Sequence, residues 1–153
     1  MTSHRPVAVV TGASRGAGRG IALALGAAGW RVYLTGRTVG PDDAAAVTAA
    51  GGEGVAVRVD HADDTSVAAL FERVESEDSQ LDLLVNNAAV ISDVLTDRAP
   101  FWEKPLALGD VIDVGLRSAY VASWYAAPLL LRAQRGLIAF TSSPGSVCYM
   151  HGP

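Results

Sequence analysis

The sequence predicts an α/β fold, a doubly wound parallel sheet, and three observations carry that prediction. Short apolar runs alternate with helix-periodic stretches along the chain, the first junction between them is a glycine-spaced turn, and the fourth apolar run empties into two consecutive amides, Asn86 and Asn87. Such alternation leads to parallel strands joined by right-handed helical crossovers, with ligands taken at the strands' C-terminal edge. The chain has 153 residues, 50% of them apolar, which is enough for one core, and no internal boundary is evident. Residues 1–153 therefore read as a single domain.

The first strand, Val7 to Thr11, delivers the backbone to a tight turn at Gly12, and a helix follows over roughly Ala17 to Ala28, closed by Gly29. A helix that begins in such a turn points unpaired N–H groups and its positive dipole end at whatever lies above the loop. The spacing G-x-G-x-x-G fails, because Ile21 stands where its last glycine would be, and a Walker loop fails for want of the G-K-[ST] ending. What fits is T-G-x-x-x-G-x-G on Thr11, Gly12, Gly16 and Gly18, with Ser14 and Arg15 inside the turn. The ligand implied is a dinucleotide, and the domain a dinucleotide-binding one.

Val32, Tyr33 and Leu34 form the second strand, which ends at Thr35, Gly36 and Arg37. An NAD site would put an acid about 20 residues beyond the glycines to hold the ribose 2′-hydroxyl. Here the first acid after the strand is Asp42, and Arg37 occupies the place. With Arg15 it could meet a 2′-phosphate through paired N–H donors, so the expected cofactor is NADP rather than NAD; the alternative is two solvated loop arginines. A scaffold helix runs from Pro41 to about Ala50, closed by Gly51 and Gly52. Val55, Val57 and Val59 alternate as the third strand and lead into Asp60, which either accepts from an adenine amino group or forms the turn before the next helix. That helix, about Ser66 to Glu75, buries Val67, Leu70, Phe71 and Val74 and would be capped by Asp64 or Thr65.

The fourth strand, Leu81 to Val85, leads to Asn87 and Ala88, where the ribose and nicotinamide should pass, while Asn86 would tie the strand to its neighbour. Residues 90–105 form a long aperiodic loop over the substrate side, with Phe101 and Trp102 expected as anchors into the core. Leu106 to Arg132 reads as one long helix, kinked or ended near Pro128 and apolar nearly all round. That predicts a homo-oligomer contact, with deep intramolecular burial as the alternative. Leu137 to Thr141 is the fifth strand, followed by Ser142 and Ser143.

These motifs together resemble the short-chain dehydrogenase/reductase family: the T-G-x-x-x-G-x-G turn, the run NNAA in place of the family's N-N-A-G, and S-S-x-x-G at Ser142 to Gly145. The resemblance implies a Rossmann-like sheet and hydride transfer between a nicotinamide cofactor and a small alcohol or carbonyl substrate. It assigns Ser143 a catalytic hydrogen bond to the substrate oxygen and Asp60 a contact to adenine. The runs FWEKP and DVIDVGLRSAY are similar to one subgroup, in which V-G-L-R also occurs; there Gly115 stands where the family usually carries an Asn that serves the proton relay. The family also uses a Tyr about 12 or 13 residues after the serine, with a Lys four further on to lower its pKa. That count runs past Pro153, so the chain is expected to be an N-terminal part of the fold, without the later strands and helices. Tyr149 is six positions beyond Ser143 with no lysine after it, and is not read as catalytic. A non-catalytic NADP-binding module and an oligomerising interaction protein are the alternatives.

A formal charge of -4 and a pI near 5.2 argue against nucleic-acid and anionic-membrane partners. Cys148 stands alone, so no internal disulfide framework is expected. His4, His61 and His151 lie far apart and read as surface or incidental residues, with no metal site. Without a signal-like N-terminus or an apolar run of about 20 residues, a soluble cytoplasmic protein is expected.

Overall fold

Val7–Val10 (β1) is buried at every residue, and in a parallel sheet such a strand belongs at the centre. The computed structural model, which describes residues 5–95 and 97–143, puts it there. Among the described residues one parallel sheet runs in the order β3-β2-β1-β4-β5, with β2 Arg31–Gly36, β3 Glu53–Arg58, β4 Leu83–Asn86 and β5 Leu137–Phe140. Val9 pairs with Tyr33 on one side and Leu84 on the other. The chain builds outward from β1 to β3, then returns across β1 to add β4 and β5. The reversal makes a switch point at the C-terminal ends of β1 and β4, where ligands of open α/β sheets bind.

Strand alternation divides the core into two layers. Val7 and Val9 face α3 (Asp64–Asp78) and α4 (Ser118–Leu130), packing with Val67, Leu70, Phe71, Val74, Ala122 and Leu129. Val10, Val32 and Leu34 face the opposite way and pack with Ala22 of α1 (Gly16–Ala27) and Val47 of α2 (Pro41–Ala49). Full burial of each such Val or Leu is worth roughly 2 kcal/mol relative to exposure.

The doubly wound architecture follows the expectation, and several local features depart from it. β2 begins one residue earlier than expected, at Arg31, whose guanidinium pairs with Glu77, and it ends at Gly36 within the expected junction. α3 is capped by Asp63, whose Oδ1 accepts from Thr65 N at 3.0 Å; Asp64 instead forms a bidentate pair with Arg117, 2.6 Å on each arm. Phe101 and Trp102 are not core anchors: they are 81% and 73% exposed, in a short 3-10 turn, and stack edge-on against one another. The expected long helix is broken. Leu106–Gly109 is a 3-10 turn, Ile112–Arg117 has non-helical dihedrals at Val114 and Gly115, and regular helix starts only at Ser118. The break is stabilised from both sides, since Gly115 N donates to Ser118 Oγ at 3.1 Å and Val90 N donates to Val114 O at 2.9 Å. Pro128 lies in the last turns of α4, which ends two residues later. Val121, Ala122, Ala126 and Leu129 are buried while Ile112, Leu116, Tyr120 and Trp124 are exposed, so intramolecular burial accounts for one face of this region and not the other.

His61 is not a surface residue: it is 6% exposed. His4, His151, Cys148 and Tyr149 lie outside the described residues. Among the described residues no helix is long and apolar enough to cross a membrane, and no group of three His, Cys, Asp or Glu is arranged to hold a metal ion.

Candidate functional site

The glycine turn sits at the switch point and is built into the end of β4. Thr11 is buried, and its Oγ1 accepts from the backbone N–H groups of Asn87 at 2.8 Å and Ala88 at 2.9 Å while donating to Val85 O at 3.3 Å. Asn87 answers with its side-chain amide, which donates to Thr11 O at 2.9 Å and Gly12 O at 3.1 Å. The tie expected of Asn86 is thus made by Asn87. Asn86 Nδ2 reaches Ser123 Oγ in α4 at 3.0 Å, a helix rather than the neighbouring strand.

Close approach explains the glycines at the base of the turn. Gly12 has φ +66°, and a Cβ there would lie 2.8 Å from Ala88 Cα; a Cβ on Gly18 would collide with Asn87 Nδ2 and Gly12 O. Gly16, with φ +55°, is different: nothing lies within 4 Å of the position of its Cβ, so the loop opens outward there. Arg15 is the N-cap of α1 with extended backbone, makes no side-chain cap, and is followed by no acid in the first turn. The first intrahelical donor is Arg19 N, to Arg15 O at 3.3 Å, which leaves the preceding amide hydrogens for an anion. An open, uncapped, acid-free helix start over a glycine turn fits a diphosphate.

The turn is also pinned to β2. Ala13 N donates to Thr35 O at 2.9 Å, and Ser14 Oγ lies 3.9 Å from where a Cβ of Gly36 would be. Arg37 follows directly and is exposed. Asp60 is exposed at the turn after β3, where its Oδ1 accepts from Ala62 N at 3.0 Å, the turn-forming arrangement. Ser143 is exposed in the segment after β5, whose pairing of Phe140 with Asn86 brings it to the same sheet edge as Asn87.

One polar pair here was not singled out by the sequence reading. His61 Nε2 lies 2.9 Å from Thr35 Oγ1, and that hydroxyl donates onward to Val10 O at 3.3 Å, so Nε2 carries the proton. Burial pushes the imidazole pKa down from 6.5 to about 4, against a smaller opposing pull from Asp60, and the ring is neutral at pH 7. The available signal was periodicity: His61 continues the inward alternation of Val55, Val57 and Val59.

A strand, glycine turn and helix at the switch point of a parallel sheet define a Rossmann-like, doubly wound α/β protein. Within that class the chain belongs to the short-chain dehydrogenase family, whose model matches residues 6–152. Human dehydrogenase/reductase SDR family member 1 is 48% identical over 150 residues, covering 94% of this chain and 48% of that protein, and it is the subgroup to which V-G-L-R points. The chain spans about half the length of the curated relatives it matches. A metagenomic short-chain oxidoreductase solved in complex with NADP superposes with a TM-score of 0.84 at 36% identity, covering 95% of this chain and 66% of that one. The NADH-dependent reductase A1-R′ solved with NAD shares the fold, with a TM-score of 0.80 at 23% identity over 94% of this chain and 61% of that one. The fold alone therefore does not select between the two coenzymes.

Proposed function

We propose that this chain is the coenzyme-binding part of an NADP-preferring oxidoreductase that acts on a small alcohol or carbonyl compound. The observation that carries the reading is the open, uncapped start of α1 over the glycine turn, with Arg15 at its N-cap and Arg37 exposed directly after β2. Amide hydrogens of residues 14–18 would hold the diphosphate, with Ser14 and Gly16 lining the opening. Thr11, Gly12, Gly18, Asn87 and Ala88 would fix the floor on which ribose and nicotinamide rest. Arg37 and Arg15 would pair with the 2′-phosphate, and Asp60 would retain an oxygen for the adenine amino group beside its turn bond. When bound, the nicotinamide supplies or accepts hydride. Ser143 would donate its hydroxyl hydrogen to the substrate oxygen as negative charge develops there.

The NADP complex of the metagenomic relative supports the coenzyme, and the names of the curated relatives support the reaction class. Titration of the protein with NADPH and NADH, followed by coenzyme fluorescence, tests the reading. NADPH is expected to bind more tightly, and Arg37→Ala to erase most of that preference; an unchanged preference would overturn the assignment.

The exposed apolar face of Leu116, Tyr120 and Trp124 supports self-association of the complete protein. Beside it is a hollow of about 220 Å³, lined by Asp64, Arg117, Val121 and Tyr125 as well as Tyr120 and Trp124. A protein without nucleic-acid or membrane partners, working in the cytoplasm, is consistent with the acidic net charge.

A further inference from the structure

We propose that Arg58 is a third guanidinium in the 2′-phosphate site, a specificity-determining residue beside Arg15 and Arg37; this rests on the NADP reading given above. Strand register carries the placement. In the β2–β3 ladder Arg58 is the partner of Gly36, so the last residue of β3 stands beside the residue that precedes Arg37. Its side chain is also anchored: Arg58 Nε donates to Val39 O at 3.5 Å, and Val39 is only 1% exposed, so the guanidinium is held against the loop that carries Arg37. Gly36 in turn abuts the glycine turn, a Cβ there lying 3.9 Å from Gly12 Cα and from Ser14 Oγ.

Charge distribution supplies the second argument. Arg5, Arg19, Arg31, Arg73, Arg117 and Arg132 each have a carboxylate within ion-pair distance. Among the described residues no carboxylate pairs with Arg15, Arg37 or Arg58, nor with Arg98 in the loop after β4 or Arg135 before β5, but only the first three lie by the ends of β2 and β3 and the glycine turn. The acids closest in sequence are turned elsewhere: Asp43 takes Gly40 N at 3.0 Å and lies 3.7 Å from Arg19, and Asp60 takes Ala62 N. Asp42 is exposed in the first turn of α2. Cations gathered at one edge of an acidic chain repel one another, and a phosphate monoester offsets that repulsion while accepting in-plane N–H bonds. With Nε on Val39 O, the two Nη groups of Arg58 remain to donate.

The test is equilibrium titration of the wild-type protein, Arg58→Met, Arg58→Lys and Arg37→Ala with NADPH and with NADH, circular dichroism confirming the fold of each. Arg58→Met is expected to weaken NADPH about tenfold and NADH less than about twofold, with Arg58→Lys recovering part of the loss. An unchanged NADPH affinity overturns the proposal. Equal weakening of both coenzymes overturns it as well, because Arg58 would then only prop the loop through Val39. If Arg37→Ala lowers the preference for NADPH and Arg58→Met does not, this proposal alone fails. If Arg37→Ala leaves the preference intact, or the wild-type protein binds neither coenzyme, the NADP reading fails and takes this proposal with it.

Discussion

The two edges of the same sheet are built on opposite principles. At the N-terminal edge the charges around the start of β2 are answered. Arg31, the first residue of β2, pairs with Glu53, with Glu77 at 2.6 Å and with Asp78 at 3.0 Å, and its guanidinium lies 5.5 Å from the centre of the Tyr33 ring. The Tyr33 hydroxyl sits 2.8 Å from Glu77 and 2.5 Å from Asp78, and Val7 N donates to Asp82 at 2.8 Å. Burial, reinforced by the carboxylates, pushes the phenol pKa of Tyr33 far up, so it stays a donor at any physiological pH. At the C-terminal edge Arg15, Arg37 and Arg58 have no carboxylate partner among the described residues, and the first turn of α1 has neither cap nor acid. The difference teaches where to look for work: the satisfied edge holds the sheet together, and the unsatisfied edge is the one proposed to take the phosphates of the coenzyme.

That contrast can be broken or sharpened by experiment. The largest effect is expected from Gly18→Val, whose side chain would collide with Asn87 and Gly12 O. It should cost about 3 kcal/mol or more in urea unfolding and abolish NADPH binding, because turn and strand end can no longer close. Next comes acid. His61 is neutral in the fold with its pKa at about 4 against 6.5 when unfolded, so its contribution is complete above pH 6.5 and is lost as pH falls from there toward 4. The loss amounts to roughly 3 kcal/mol, and His61→Gln should flatten that stretch of the stability-versus-pH curve.

Tyr33→Phe is expected to cost about 1 kcal/mol by removing one of the donors shared by Glu77 and Asp78, with NADPH affinity unchanged. A change in affinity would show that the two edges are coupled. The smallest effect belongs to Glu77. The Arg73 guanidinium, then Tyr33, hold its pKa down at about 2, so its contribution is present above pH 4.5 and lost as pH falls toward 2. Solvent screening keeps it under about 1 kcal/mol, and Glu77→Gln should remove it from the acid limb of the curve.

Legibility in the sequence followed the same division. The glycine turn, the amides after β4 and the alternating valines of β3 announce themselves because backbone geometry demands those residue types there. Arg31 does not look like a strand residue, and neither its pairing with Glu77 nor that of Thr35 with His61 can be read locally, because both partners come from elsewhere in the chain. The density of apolar residues between Leu106 and Arg132 concealed the interruption at Val114 and Gly115, which is stabilised by one hydroxyl from Ser118 and one distant amide from Val90. Phe101 and Trp102 misled for a related reason: an aromatic pair in a loop can stack on itself.

The central position of β1 also sets an order of assembly. Ala8 meets Val32 early but must wait for Leu83, so while the protein is being synthesised one side of the innermost strand stays bare until more than half of these 153 residues have been made. The nascent polypeptide is most vulnerable to sticking in that interval, and β4, arriving with Asn87, covers β1 and locks the glycine turn in a single event.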